Sequence, residues 1–537
     1  MAGTSFFTGI LRRCVSRNPS STTGALSTGC FLRTVSSGPM RSADAGEVPT
    51  SLALPEDSLR DRIFRLRFPK RSATVALEKW VGEGWNVTAG ELRRISRELR
   101  RAQRYKHALE ILTWMESHGS FSVTPSDYAQ KLELIAEAHG LQEAEAYYAS
   151  IHCDAPLDAT SLSLLHYYVK ERRMTEAEAL MMKLKKMGLS TPQPFNDMMK
   201  LYMAVGQYEK VPLIIQEMKR DMIPLNVLSY NIWMNASNEI SSVPSVEEVY
   251  MEMVNDSNVE VGWSTYSTLA NIYTKHGLKT KAFAALKDAE DRLSMRNRLG
   301  FFFLITIYAA LNDRNGVRRL WETSKKVAGR ITSANYMCII LCLVKVGDIG
   351  EAEKVFLKWE SECRKYDIRV PNVLLGAYVR KGWMDRAESL HSHTLAKGGQ
   401  PNYKTWEILI EGWTASKQMD KAVDAMKKGF SLLRFCAWRP SDEVRLCIME
   451  HFEEQGDADE ARRYIKALRR HRLMTLPLYK SYLRTCVRAQ RSVPNALKMT
   501  RVDRVDLDQE ALTLIQCVGE LGVDLKENQP LPEDGKM

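Results

Sequence analysis

Eight small apolar residues, Ala177, Val211, Val246, Ala282, Val317, Ala352, Ala387 and Ala422, recur at spacings of 34, 35, 36, 35, 35, 35 and 35. A period of this size marks a solenoid, whose units are too small to bury an apolar face alone and gain a core by stacking on their neighbours. Length alone would divide the 537 residues among about three or four globular domains. The period overrides that division and makes the chain one array.

Each unit is laid out as two helices. In residues 192–226, Phe195-Asn196-Asp197-Met198-Met199 opens the first helix and Gly206 ends it in a left-handed cap, a conformation that glycine adopts without steric cost. Tyr208 to Met218 forms the second helix, and Ile223-Pro224 breaks the chain before the next unit. The layout returns at Tyr230-Asn231, Tyr266…Gly277, Tyr336…Gly347 and Pro371-Asn372…Gly382. Acidic residues beside the second helix, Asp348, Asp385, Asp420 and Asp457, suit its positive end. Strand patterns are absent, so the expected fold class is all-α. About eleven repeats are expected over residues 89–500, preceded by a linker and N-terminal capping helices over 44–88. Residues 501–537 are expected to hold one helix, Gln509 to Leu521, and a disordered acidic tail.

The first 43 residues carry Arg12, Arg13, Arg17, Arg33 and Arg41, many Ser and Thr, and no Lys, Asp or Glu. Such a segment fits an organellar transit peptide, and Phe6-Phe7…Ile10-Leu11 beside Arg12 and Arg13 favours the mitochondrial matrix over the chloroplast. A plain disordered tail has the same composition. The leader holds five of the formal +11 charges, which leaves about +6 for the rest, a mild excess compatible with a polyanion but not diagnostic of one.

Other chemistries find little footing. No run of eighteen apolar residues suggests a membrane span. The ten cysteines form no CxxC pair, and Cys338 with Cys342 has no His or Cys partner beside it, so core thiols are expected rather than a metal site. His451-Phe452-Glu453 matches half of a zinc deaminase motif, but no PCxxC follows it. His391-Ser392-His393 lacks a third ligand, and no Gly-rich phosphate loop is present. No enzyme, metal, cofactor or small-molecule substrate is expected.

The internal pattern separates two kinds of helical repeat. Tetratricopeptide repeats place Trp and Leu-Gly early in the first helix. Here the early aromatic is followed by Asn, as in Phe195-Asn196 and Tyr230-Asn231, and the second helix ends in stretches such as Gln216-Glu217-Met218-Lys219. Together with Ala270-Asn271-Ile272-Tyr273…Gly277-Leu278…Lys281-Ala282 and Arg369-Val370-Pro371-Asn372, these features resemble the pentatricopeptide repeat, in particular the P class of plant mitochondrial proteins. The resemblance covers roughly residues 89–500. It implies a right-handed superhelical solenoid with single-stranded RNA in its concave groove, one base being read per repeat. The reading side chains are then the residue after the aromatic and the last residue of the repeat.

On that pattern Asn196 with Asn226, and Asn372 with Asn402, form pyrimidine-preferring pairs, since an amide offers both donor and acceptor to a base edge. Asn231 and Ser267 occupy the same first-helix site, with Gly262 and Asn297 near the closing positions. Any single Asn serves equally well as a helix cap; recurrence at one position favours the reading role. Elsewhere that site holds Ala129, Leu162, Phe302, Met337, Glu407 and Leu446, so readout is patchy, with Phe302 able to stack on a base. Arg93, Arg97, Arg100, Arg101 and Arg104 lay a basic stripe on the first repeat, and Arg462, Arg463, Lys466, Arg469, Arg470, His471 and Arg472 form a second at the far end. Either is a solvated face or a set of phosphate contacts. The partner is thus expected to be RNA, either a mitochondrial transcript or rRNA. Two alternatives stand beside a transcript binder: a structural component among mitochondrial ribosomal proteins, and a peptide-binding adaptor.

Overall fold

The computed structural model describes residues 58–66, 71–151, 157–188, 191–432 and 438–527. Residues 1–57, which hold the expected transit peptide and linker, and the tail from 528 lie outside them. All regular structure among the described residues is helical. Backbone contacts divide the chain at Arg292/Leu293 into two compact units, each a run of helix pairs.

All eight periodic residues are 0% exposed. They lie on the second helices, which dock closely because no large side chain intervenes, and larger residues such as Trp321, Trp359 and Phe195 fill the space around them. The first helices of successive pairs pack directly on each other, as Pro192–Val205 does on Val227–Ile240 and Arg369–Arg380 on Tyr403–Ala415. Second helices pack mainly on their own partner and the next first helix, so the first helices form the tighter row within each unit.

Among the described residues twelve pairs run from Ala89 to Val502, against about eleven expected. The extra pair joins Leu476–Arg488 to Ala496–Val502, whose seven residues are too few to carry a periodic signal. Leu59–Arg65 and Ala73–Gly82 precede the array, and the final helix, Gln509–Glu527, runs beyond the expected end at Leu521. Gly206 has φ 80° and ends its helix as expected, but the following helix starts at Lys210 rather than Tyr208. Of the acidic helix starts, Asp457 caps amides of Asp459 and Glu460, whereas Asp348 turns its carboxylate to Arg318 at 2.6 Å.

A charged clasp flanks the buried small residue in four places. The acid just after it meets the base just before its counterpart in the next pair: Glu178 with Lys210 at 2.8 Å, Glu247 with Lys281 at 2.7 Å, Glu353 with Arg386 at 3.4 Å and Glu388 with Lys421 at 2.6 Å. An aromatic donor from the intervening first helix completes each clasp: Tyr202, Tyr273, Tyr378 and the Trp413 indole. The lysine hydrogen bonds hold the carboxyls of Glu178, Glu247 and Glu388 below their ordinary value.

Candidate nucleic-acid interface

The residue before each first helix has an open backbone and four free helical amides ahead of it, so a short polar side chain there caps the helix. Asn226 does so for Val227–Ile240, accepting from Ser229 N at 3.0 Å, and Asn402 does so for Tyr403–Ala415, accepting from Thr405 N at 3.0 Å. Each cap also meets the residue that follows the aromatic in the preceding first helix. Asn196 Nδ2 donates to Asn226 Oδ1 at 3.2 Å and Asn372 Nδ2 to Asn402 Oδ1 at 3.2 Å. Ser229 Oγ returns a bond to Asn196 Oδ1 at 2.8 Å, and Thr405 Oγ1 to Asn372 Oδ1 at 3.0 Å. The two networks have the same design in separate units of the chain.

The structure thus brings together both pairs named from the sequence, but not as open reading heads. Asn196 is 0% and Asn372 7% exposed. Each amide carbonyl and one amide N–H is already spent on the next repeat, because the cap and its Ser or Thr lie within bonding reach. What the pairs turn outward is the half-buried Asn226 and Asn402, whose Nδ2 groups make no hydrogen bond among the described residues.

Asn231 differs. Its closing residue is Gly262, which caps Trp263–Lys275 without a side chain. Asn231 Nδ2 reaches only Ser264 Oγ, at 3.4 Å, and Asn231 Oδ1 is buried with no donor. Ser267 is 8% exposed and donates back to the Ser264 carbonyl at 2.8 Å. Asn297 caps Arg298–Ala310 through Gly300 N at 3.0 Å.

The non-polar members of the series are packing residues in part. Phe302 is 3% exposed and lies edge-on to Trp321 at 6.2 Å, which corrects the expectation that it can stack on a base. Ala129 is buried as well, while Glu407 accepts from Trp438 Nε1 at 3.2 Å and pairs with Lys404.

Most of the first basic stripe is spoken for. Arg93 grips Asp127 at 2.7 Å and the Ser122 carbonyl at 2.8 Å. Burial alone would raise the Asp127 carboxyl, yet hydrogen bonds from Arg93 and Thr124 hold it below its ordinary value. Arg100 pairs with Glu133 at 2.6 Å. Arg104 donates to the Phe64 and Leu66 carbonyls at 2.9 and 2.8 Å, tying the array to the end of Leu59–Arg65, and burial lowers its pKa. Of the stripe, Arg97, with a bond to the Arg93 carbonyl of its own helix, and Arg101 stay exposed, beside exposed Arg94. At the far end Arg469 pairs with Asp503 and Arg463 with Glu460, which leaves Arg462, Lys466, Arg470 and Arg472 exposed. The partners of Arg93, Arg100 and Arg469 sit about one repeat away in the chain, so the sequence alone does not reveal that these cations are spent.

Side chains of the two mimic motifs have partners within the array. Glu453 accepts from Ser481 at 2.7 Å, and His393 meets Glu360 at 2.9 Å. Among the described residues no three His, Cys, Asp or Glu side chains converge, and no helix is long and apolar enough to cross a membrane.

The family model described as PPR repeat matches residues 160–189, 194–223, 335–363 and 370–398, the second and fourth of which hold Asn196 and Asn372. The chain is 49% identical over 461 residues to a pentatricopeptide repeat-containing protein of Arabidopsis thaliana, covering 85% of this chain and 94% of that one. A second Arabidopsis thaliana relative, a mitochondrial pentatricopeptide repeat-containing protein, is 34% identical over 63% of this chain and 83% of its own. Among solved structures, the pentatricopeptide repeat protein PPR10 from maize aligns at a TM-score of 0.49 and 16% identity, covering 86% of this chain and 67% of that chain.

Proposed function

The chain belongs to the pentatricopeptide-repeat family, and from that premise we propose that it binds single-stranded RNA along the row of first helices. In this reading it works in the mitochondrial matrix, after import directed by residues 1–43, and acts on transcripts by binding rather than by catalysis. Covering a strand shields it from exonucleases or keeps a site from pairing. The observation that carries the reading is Asn231 Oδ1, a buried acceptor with no donor at the first-helix position that the family resemblance assigns to base reading. It is one of several buried polar atoms without a partner among the described residues, set apart by its place in the first helix; the exocyclic amine of cytosine or the imino N–H of uracil would supply a donor. Asn196, Asn226, Ser267, Asn372 and Asn402 extend the series, with Arg97 as the phosphate contact of the first repeat and Arg93, Arg100 and Arg104 holding its shape. In vivo crosslinking should recover a short protected footprint, and Asn231→Ala should change which RNA is retained. An absence of RNA crosslinks, with a bound peptide instead, would overturn the reading in favour of an adaptor.

A second reading is favoured by the packed positions Ala129 and Phe302 and by the exposed Arg462, Lys466, Arg470 and Arg472. In it the protein is a structural component of the mitochondrial ribosome that meets rRNA and ribosomal proteins. Co-sedimentation with a ribosomal subunit at moderate salt, unchanged by Asn231→Ala, would decide for it.

A further inference from the structure

A cavity of about 280 Å³ opens between two successive loops, lined by Arg330 and Thr332 from one and by Glu362, Arg364 and Lys365 from the other, over a floor of Tyr336 and Trp359. The floor offers nothing to a ligand. Tyr336 and Trp359 are 1% and 2% exposed, the Tyr336 hydroxyl is spent on the Glu362 carboxylate at 2.6 Å, and the Trp359 indole on Ser333 Oγ at 3.1 Å. The rim is another matter. Arg364 and Lys365 are exposed and make no hydrogen bond or ion pair among the described residues. Arg330 has a single long contact of 3.4 Å, to the Glu362 carbonyl. Its loop is held in shape by Arg298, which donates to the carbonyls of Arg330 at 2.7 Å, Gly329 at 2.8 Å and Val327. Three cations therefore face one carboxylate that is already bonded.

The position of this excess charge says what it is for. Thr332 caps Ser333–Lys345 at the place in its repeat that Asn226 and Asn402 hold in theirs. The cations stand two or three residues before Thr332 and Asp367, the closing positions of consecutive repeats. In those repeats the first-helix site holds Phe302, which is buried, and Met337, which has no polar tip. We propose that this cavity is a phosphodiester-binding site, which grips an RNA strand by its backbone across repeats that read no base. The inference deepens the RNA-binding reading and rests on it.

The test uses the full chain and an oligouridylate of about 20 nucleotides, with affinity measured from low to high salt. Each phosphate neutralised on a single strand contributes about 0.7 to the slope of log K against log salt. The double variant Arg364→Gln with Lys365→Gln, both exposed and unbonded, should flatten the slope by about 1.4, which is about 25-fold weaker binding at 0.1 M salt where the curves meet at 1 M. A control with the same net charge, Lys287→Gln with Lys397→Gln, should leave the slope near that of the parent. Equal slopes for the two double variants overturn the site while leaving RNA binding intact. Capture of polyglutamate or uridine monophosphate that depends on Arg364 and Lys365, with the oligomer slope unaltered, overturns it in favour of an acidic peptide or a free nucleotide. A parent chain that retains no oligomer sinks the site and the RNA reading together.

Discussion

Residues of one chemical type divide here by what closes the repeat behind them. Asn196 and Asn372 meet an asparagine cap and are locked, whereas Asn231 meets Gly262 and keeps an unanswered carbonyl. Removing a buried, fully bonded amide costs about 1–3 kcal/mol, while removing an orphaned one costs little. Asn196→Ala should therefore lower unfolding stability by about 1–3 kcal/mol in urea titrations. Asn231→Ala should stay within about 0.5 kcal/mol of the parent and weaken pyrimidine-rich RNA about fivefold, the worth of one hydrogen bond. Equal stability losses for the two variants would show that Asn231 is bonded within the fold as Asn196 is. The pairing of Asn196 with Asn226 followed from the family resemblance; that it is closed in the free protein did not, because Ser229 enters from the next repeat.

Helices are joined through the clasps around the small residues. Glu178, Glu247 and Glu388 have folded-state pKa values held below normal by Lys210, Lys281 and Lys421. A carboxylate depressed in this way stabilises the fold above its unfolded pKa, and the contribution disappears as pH falls through the lower folded value. Their side chains are 36%, 36% and 32% exposed, so solvent screening limits each clasp to about 0.5 kcal/mol. Substituting all three by Gln should leave an unfolding midpoint that falls less steeply than the parent's between about pH 5 and pH 3. Parallel acid profiles would mean that the clasps are incidental. The period marked the helices that carry these pairs, but the ion pairs join residues more than thirty positions apart, and no local pattern announces them.

At the scale of the whole molecule, most contacts are with the neighbouring pair, and the chain divides at Arg292/Leu293. Stability in such an array is a sum over units and their interfaces, so a single all-or-none transition is not expected. Tryptophan fluorescence and far-ultraviolet circular dichroism should give urea transitions that do not superimpose, with a slope below that of one cooperative fold of this length. Coincident curves would contradict this. By itself the sequence determined the helix pair and its period, because a small residue buried once per repeat leaves its mark at a constant spacing. Tertiary structure alone decided which arginines are spent and which remain free, which asparagine keeps an open carbonyl, and where Arg330, Arg364 and Lys365 gather. The physical reason is distance along the chain: hydrogen bonds and ion pairs depend on side chains a full repeat apart meeting in space, and that is settled only when the repeats stack.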